Sequence, residues 1–212
     1  MSDDDIKIED VNSGELKEDY KLKVVVVGDS GVGKTNFIFQ FTDGHFSPLH
    51  VTTVGFDYKS KIIKLNSSKK RVKLQIWDTA GQERYMAINK NIFQKVQGII
   101  IMYDLTKRSS FENLDRWFNL VIQNASNKPK ILVANKLDLA ETERIVTEEE
   151  GQKVAKEYDI PFYEGSGSSG DNVENIFNKM AEMVYQNLID EKDNIQTNTK
   201  LNAKQEKKKC CK

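Results

Sequence analysis

The chain has 212 residues, 38% hydrophobic and 30% charged, with 32 basic residues against 32 acidic ones and a formal net charge of zero. That length suits one domain with tails or two small ones, and the charge balance speaks against a bulk nucleic-acid binder. No run of about 18 apolar residues is present to span a membrane, no apolar stretch near the start reads as a secretory signal, and the only cysteines, Cys210 and Cys211, leave no disulfide framework inside the chain, which fits a reducing cytosol.

Residues 1–20 are acidic, with Asp3, Asp4, Asp5, Glu9, Asp10, Glu15, Glu18 and Asp19 against Lys7 and Lys17, and are expected to be a disordered, solubilising tail. Leu22 to Val27 is a continuous apolar run and predicts a buried strand. Gly28-Asp29-Ser30-Gly31-Val32-Gly33-Lys34-Thr35 follows it directly, and a helix is expected from Gly33-Lys34 onward. Val51 to Leu65, then Asn66-Ser67-Ser68-Lys69-Lys70, then the alternating Val72, Leu74 and Ile76 read as a hairpin, giving one antiparallel edge strand. Ile99 to Tyr103, Ile131 to Ala134 and Phe162-Tyr163 complete six strands.

Amphipathic stripes lie between the strands. Phe111, Leu114, Trp117, Phe118, Val121 and Ile122 share one helical face, and Ser109 with Glu112 has the spacing of a capping box. Thr147 with Glu150 has the same spacing before Val154, Ala155 and Tyr158, and Asp171 with Glu174 precedes the stripe Val173, Ile176, Phe177, Met180, Val184 and Leu188. These stripes, Trp117 included, predict core. The expectation is one α/β domain with a mostly parallel sheet, helices on both faces, and ligands at the carboxyl ends of the strands.

Four segments carry chemistry. Gly28 to Thr35 has the spacing of a phosphate cradle, in which glycines let backbone N–H groups approach an anion and the following helix offers its positive end. Lys34 supplies a point charge for phosphates, and the Thr35 hydroxyl can ligate Mg²⁺. A cradle of this kind serves kinases, ATPases and GTPases alike. Asp78-Thr79-Ala80-Gly81-Gln82 stands at a strand end, where Asp78 can hold Mg²⁺ through water, Gly81 can offer a backbone N–H to a γ-phosphate, and Gln82 can orient a water. Asn135-Lys136-Leu137-Asp138 follows another strand. A carboxylate there accepts from guanine N1–H and the 2-amino group together, adenine offers neither, and the Lys136 stem can cover a face of the base. Thr53 within Thr52-Thr53-Val54-Gly55 and the loop Glu164-Gly165-Ser166-Gly167-Ser168 are weaker signals, for Mg²⁺ with γ-phosphate and for the guanine oxygen respectively.

Taken in this order the motifs resemble the Ras superfamily of small GTPases, which are P-loop NTPases. Lys73-Leu-Gln-Ile-Trp-Asp-Thr-Ala-Gly-Gln-Glu-Arg84 and Tyr103-Asp-Leu-Thr106 are similar to the Rab family. The resemblance covers about Lys21 to Leu188. It implies that Asp29, Ser30, Gly31, Val32, Gly33, Lys34, Thr35, Thr53 and Gly81 surround the phosphates and that Thr35, Thr53 and Asp78 hold Mg²⁺. It further implies that Gln82 places the hydrolytic water, that Asn135, Lys136, Asp138, Ser166 and Gly167 read guanine, and that Phe46 stacks on the base edge. An aromatic effector surface maps to Tyr58, Trp77 and Ile92. The partners implied are GTP and GDP, an exchange factor, a GTPase-activating protein, a GDP-dissociation inhibitor, prenylation escort machinery and effectors. A GTP-binding module with little hydrolysis, or a P-loop kinase, are the alternatives.

The chain departs from the family pattern at several places. His50 falls where a Tyr usually covers the phosphates, Gly167-Ser168 replaces the usual Ala-Lys, and Ile92-Phe93-Gln94-Lys95 replaces Tyr-Tyr-Arg-Gly. His45 and His50 carry no partner-carboxylate motif and are expected to be solvated. The last residues, Lys207-Lys208-Lys209-Cys210-Cys211-Lys212, lack a C-a-a-X box but resemble the Rab double-cysteine prenylation signal. Two lipid chains beside lysines would anchor stably to an anionic cytoplasmic leaflet. The organisation expected is an acidic tail over 1–20, a small G domain over 21–189, and a flexible tail with the lipidation signal over 190–212.

Overall fold

A computed structural model describes the backbone of residues 18–46, 56–79 and 86–209, and the side chains of 18–46, 58–78 and 91–193. In chain order the elements are β1 (Tyr20–Val27), α1 (Lys34–Asp43), β2 (Phe56–Lys64), β3 (Arg71–Thr79), α2 (Met86–Lys95), β4 (Gly98–Asp104), α3 (Arg108–Glu112), α4 (Leu114–Ala125), β5 (Lys130–Asn135), a 3₁₀ turn (Leu137–Leu139), α5 (Ala140–Glu143), α6 (Glu148–Glu157), β6 (Phe162–Glu164) and α7 (Val173–Lys209).

The strands form one sheet in the order β2-β3-β1-β4-β5-β6, and only the β2–β3 pair is antiparallel. The order of connection across the sheet reverses at β1, because β2 and β3 follow it on one side and β4 lies on the other. A crevice opens at the carboxyl end of such a strand. The period of two in the strands divides the core. Leu22, Val24 and Val26 pack with Ile100, Met102, Ile131 and Val133 beneath α1 and α7. Val25 and Val27 pack with Ile99, Ile101, Leu132 and Ala134 beneath α2, α4 and α6. A parallel sheet covered on both faces accounts for the unbroken apolar runs.

The hairpin between β2 and β3 closes with the Leu65 N–H on the Lys70 carbonyl at 2.8 Å. The capping box expected at Thr147 is present, with both its bonds to Glu150. The other two predicted boxes are absent. Ser109 lies inside α3, whose first flanking residue is Lys107, and no side chain caps it. Asp171 stands one residue too early, since α7 begins at Val173, and its carboxylate accepts from the Ser169 hydroxyl at 2.5 Å. The stripe predicted over 111–122 is broken at Asn113, which separates α3 from α4, and Ile122 is exposed rather than part of the core.

The backbone stays helical through Lys209, where a flexible tail is expected from residue 190. Residues 190–209 contain no Gly or Pro and are rich in Lys, a good helix former. On the other face of the sheet, Lys128 stops α2. Its ammonium donates to the carbonyls of Phe93 (2.5 Å), Val96 (2.5 Å) and Gln94 (3.2 Å), the unpaired acceptors at a helix C-terminus. Gln97 then pairs with the Lys23 backbone through both its side chain and its N–H. No described helix is long and apolar enough to cross a membrane.

Candidate nucleotide site

The segments singled out by chemistry follow the carboxyl ends of β1, β3, β5 and β6 and converge on one end of the sheet. The loop after β1 turns into α1 at Gly33, which has φ 93°. A Cβ there would stand 2.4 Å from the Asn135 amide nitrogen, so a side chain is excluded both by conformation and by space. Ser30 and Gly31 face solvent and Val32 is buried. Lys34 is buried, and its ammonium donates to the carbonyls of Gly28 (2.9 Å) and Asp29 (2.8 Å). Burial pushes its pKa down to about 8, against the pull of the Asp78 and Asp29 carboxylates. The Thr35 hydroxyl donates to Asp78 Oδ2 at 2.6 Å, joining the start of α1 to the end of β3. Two hard oxygens so placed suit a small divalent cation of the Mg²⁺ kind.

A second set of contacts builds the β5–β6 end. Asn135, 3% exposed, donates to the Val32 carbonyl at 2.7 Å and accepts from the Gly167 N–H at 3.1 Å. One amide thus ties the loop after β1 to the loop after β6. Fully buried Ser166 accepts from the N–H groups of Ser168 and Ser169, both at 3.0 Å. Its hydroxyl proton goes to Asp138 Oδ1 at 2.5 Å. Asp138 is exposed in the 3₁₀ turn. Lys136, at φ 72°, places its ammonium 2.6 Å from Asp104 Oδ2, and Asp104 in turn accepts from the Thr106 N–H and hydroxyl. Asp104 is thus a site residue that sequence reasoning missed, although it sits in the Tyr-Asp-Leu-Thr string. Gly167 lies on α1, where a Cβ would stand 2.8 Å from the Phe37 nitrogen. Phe46, just past α1, is exposed.

Asp29 makes a side-chain contact that sequence reasoning missed. Its carbonyl faces Lys34, but its carboxylate turns away from the cradle toward α4. There it accepts from Asn113 Nδ2 at 2.7 Å and from Trp117 Nε1 at 2.8 Å. Trp117 is core, 1% exposed, as its stripe predicts, but its indole N–H reaches the loop as well. Asn113 carries no signal in the sequence, because the apolar stripe runs past it without interruption.

The aromatic surface is only partly assembled. Tyr58, 53% exposed, lies across the β2–β3 pair from half-buried Trp77, with ring centroids 5.6 Å apart. Ile92 does not join them. It is 7% exposed and packs in the core beneath α2, because an apolar residue on an amphipathic helix faces the sheet. His45 is exposed, as expected. Thr53, Gly81, Gln82, His50, Cys210 and Cys211 lie outside the described residues. An open cavity of about 840 Å³ lies at the opposite, amino-terminal end of the strands. Two of its lysines, Lys128 and Lys130, are committed to backbone carbonyls.

Residues 23–186 match the Ras family. The Ras-related protein RAB1BV of Beta vulgaris is 44% identical over 173 residues, which are 81% of this chain and 80% of that protein. The Ras-related protein SEC4 of Candida albicans is 41% identical over 174 residues, 82% of this chain and 81% of that one. The GTP-binding protein ypt2 of Schizosaccharomyces pombe is 41% identical over 197 residues, 91% of this chain and 97% of that protein. The chain therefore belongs to the Ras family, as a Rab-type small GTPase that binds and hydrolyses GTP.

Proposed function

We propose that the chain is a membrane-anchored switch in vesicle transport whose output is the presence or absence of a third phosphate in this crevice. The observation that carries this reading is the Asn135 amide, bonded at once to Val32 of the cradle and Gly167 of the base loop. One rigid contact spaces a phosphate-binding loop from a base-binding loop, as a nucleotide requires. Backbone N–H groups of residues 29–33, with Lys34, receive the phosphates. Asp138, fixed by Ser166, accepts from the guanine edge, Lys136 covers one face of the base, and Phe46 stacks at its edge. Ras-family GTPases use Mg²⁺ with GTP. The Thr35–Asp78 pair, joined by Thr53, fits that ion, which neutralises phosphate charge when bound.

Gln82 orients the attacking water, and Thr53 and Gly81 contact the third phosphate. Release of those contacts on hydrolysis changes the surface around Tyr58 and Trp77 that effectors read. The domain proper spans residues 21–189, with residues 190–212 linking it to lipidated Cys210 and Cys211 at a cytoplasmic membrane face. An exchange factor, a GTPase-activating protein, a GDP-dissociation inhibitor and prenylation escort machinery complete the cycle.

Single-turnover hydrolysis in GTP and Mg²⁺ tests the reading. Wild type turns over at about 10⁻⁴ s⁻¹ unaided, and Gln82→Leu is slower by at least about tenfold with GTP binding retained. Equal rates would remove Gln82 from the chemistry, and phosphoryl transfer to an acceptor other than water would replace the switch by a kinase.

A further inference from the structure

The phosphate loop carries a carboxylate, which is unfavourable beside a polyphosphate unless it is directed elsewhere. Asp29 is directed elsewhere by two donors on one helix face. Asn113 and Trp117 are four residues apart, one turn of helix, so their side chains stack over the same spot. Asn113 joins α3 to α4 with right-handed helical backbone (φ −77°, ψ −2°), its N–H on the Ser109 carbonyl at 3.1 Å and its carbonyl on the Trp117 N–H at 3.4 Å. From this position just before α4 the Asn113 amide reaches Asp29 at 2.7 Å. The two carboxylate oxygens are divided, Oδ2 to Asn113 and Oδ1 to Trp117, which fixes the side chain in rotation as well as position. The Asp29 carbonyl, one peptide away, is a seat of the Lys34 ammonium.

We propose that Asn113 and Trp117 are positioning residues for nucleotide retention: by clamping the Asp29 carboxylate to α4 they hold the phosphate loop open to phosphate and keep its one negative charge out of the cradle. The proposal rests on residues 28–35 being the phosphate site. It makes α4 an energetic part of that site through Asp29, without requiring an α4 side chain to bind phosphate. Loss of a donor frees the carboxylate to turn toward the phosphates, and a like charge at position 113 drives it there.

Release of a fluorescent GDP analogue from the preloaded full chain, chased with excess unlabelled GDP at fixed Mg²⁺, tests this. Hydrogen bonds to a charged group predict release about 10–100-fold faster in Asn113→Asp and about 3–10-fold faster in Trp117→Phe. Adding Asp29→Asn to Asn113→Asp restores the amide–carboxylate pair with the roles exchanged and returns release to within about threefold of wild type. A swap that fails to restore retention overturns the clamp, as does an Asn113→Asp variant that melts at lower temperature yet releases GDP at the wild-type rate. Wild-type protein that does not retain the analogue at all would overturn the phosphate-site reading and the clamp with it. Retention by wild type without rescue by the swap removes only the clamp.

Discussion

At the proposed base end of the crevice, the polar side chains hold one another. Ser166 is bonded to Asp138 and to two backbone amides, and Asn135 is bonded to two loops. At the proposed phosphate end, the reactive groups hold protein atoms for which a ligand would substitute. Lys34 rests on two carbonyls, and Thr35 rests on Asp78. The first arrangement is preorganised, so a base that fits meets groups already aligned. The second must exchange partners when phosphate and cation arrive. Specificity is therefore expected to sit in the rigid end and responsiveness in the exchangeable one.

The largest test of that contrast is Asp138→Asn. An amide presents a donor where guanine also presents one, so preference is expected to move from guanine toward xanthine nucleotides by a factor on the order of 10⁴. Competition between GDP and XDP for the purified chain measures it, and an unchanged preference would deny the base end its role. A smaller effect is expected for Gly167→Ala. The added Cβ would meet the Phe37 nitrogen at 2.8 Å, so the loop must shift off α1. Overpacking of this kind costs about 1–3 kcal/mol, readable as a lower melting temperature together with faster GDP release. Faster release without loss of stability would show the loop to be less rigid than its contacts imply.

The smallest effect concerns the exchangeable end. The pKa of Lys34 is lowered to about 8 by burial. Bound phosphates favour the ammonium and raise that pKa, so binding takes up a proton above pH 8 and affinity falls as pH rises. Between pH 8 and 9 the loss is about fivefold, and calorimetry in two buffers of different ionisation enthalpy reads the proton directly. The sign is opposite for folding without nucleotide. The unfolded chain holds the Lys34 proton up to its ordinary pKa of 10.5, so this group's contribution to stability rises with pH between about 8 and 10.5.

The strands, the cradle and the base motifs are legible in the sequence because each is a local pattern. A parallel strand buried on both faces is an unbroken apolar run, and Thr147 and Glu150 carry both halves of their cap within four residues. Contacts between distant segments are not local. Asn113 lies 84 residues from Asp29 and Trp117 lies 88 residues away, so nothing near either one marks the pairing. Trp117 was legible as core, and its packing hides the second use of its N–H. Ile92 fails for the opposite reason. A surface mapped by resemblance placed it outside, while its own helical spacing places it inside. Ser109 and Asp171 show that capping-box spacing without a confirmed helix start is a weak signal, since an offset of one residue at Asp171 or two at Ser109 removes the bond.

Lys128 gives α2, the helix that follows the Gly81-Gln82 segment, a fixed axle. Three carbonyls at the end of α2 share one ammonium, and the next turn is stitched to β1 through Gln97. Displacement entering at the Met86 end would then be expected to tilt α2 about residues 93–97 rather than slide the whole helix. Such a swing would be greatest beside the crevice and smallest at the far end of the sheet, so a protein that distinguishes the two nucleotide states would gain most by gripping the first turn of α2.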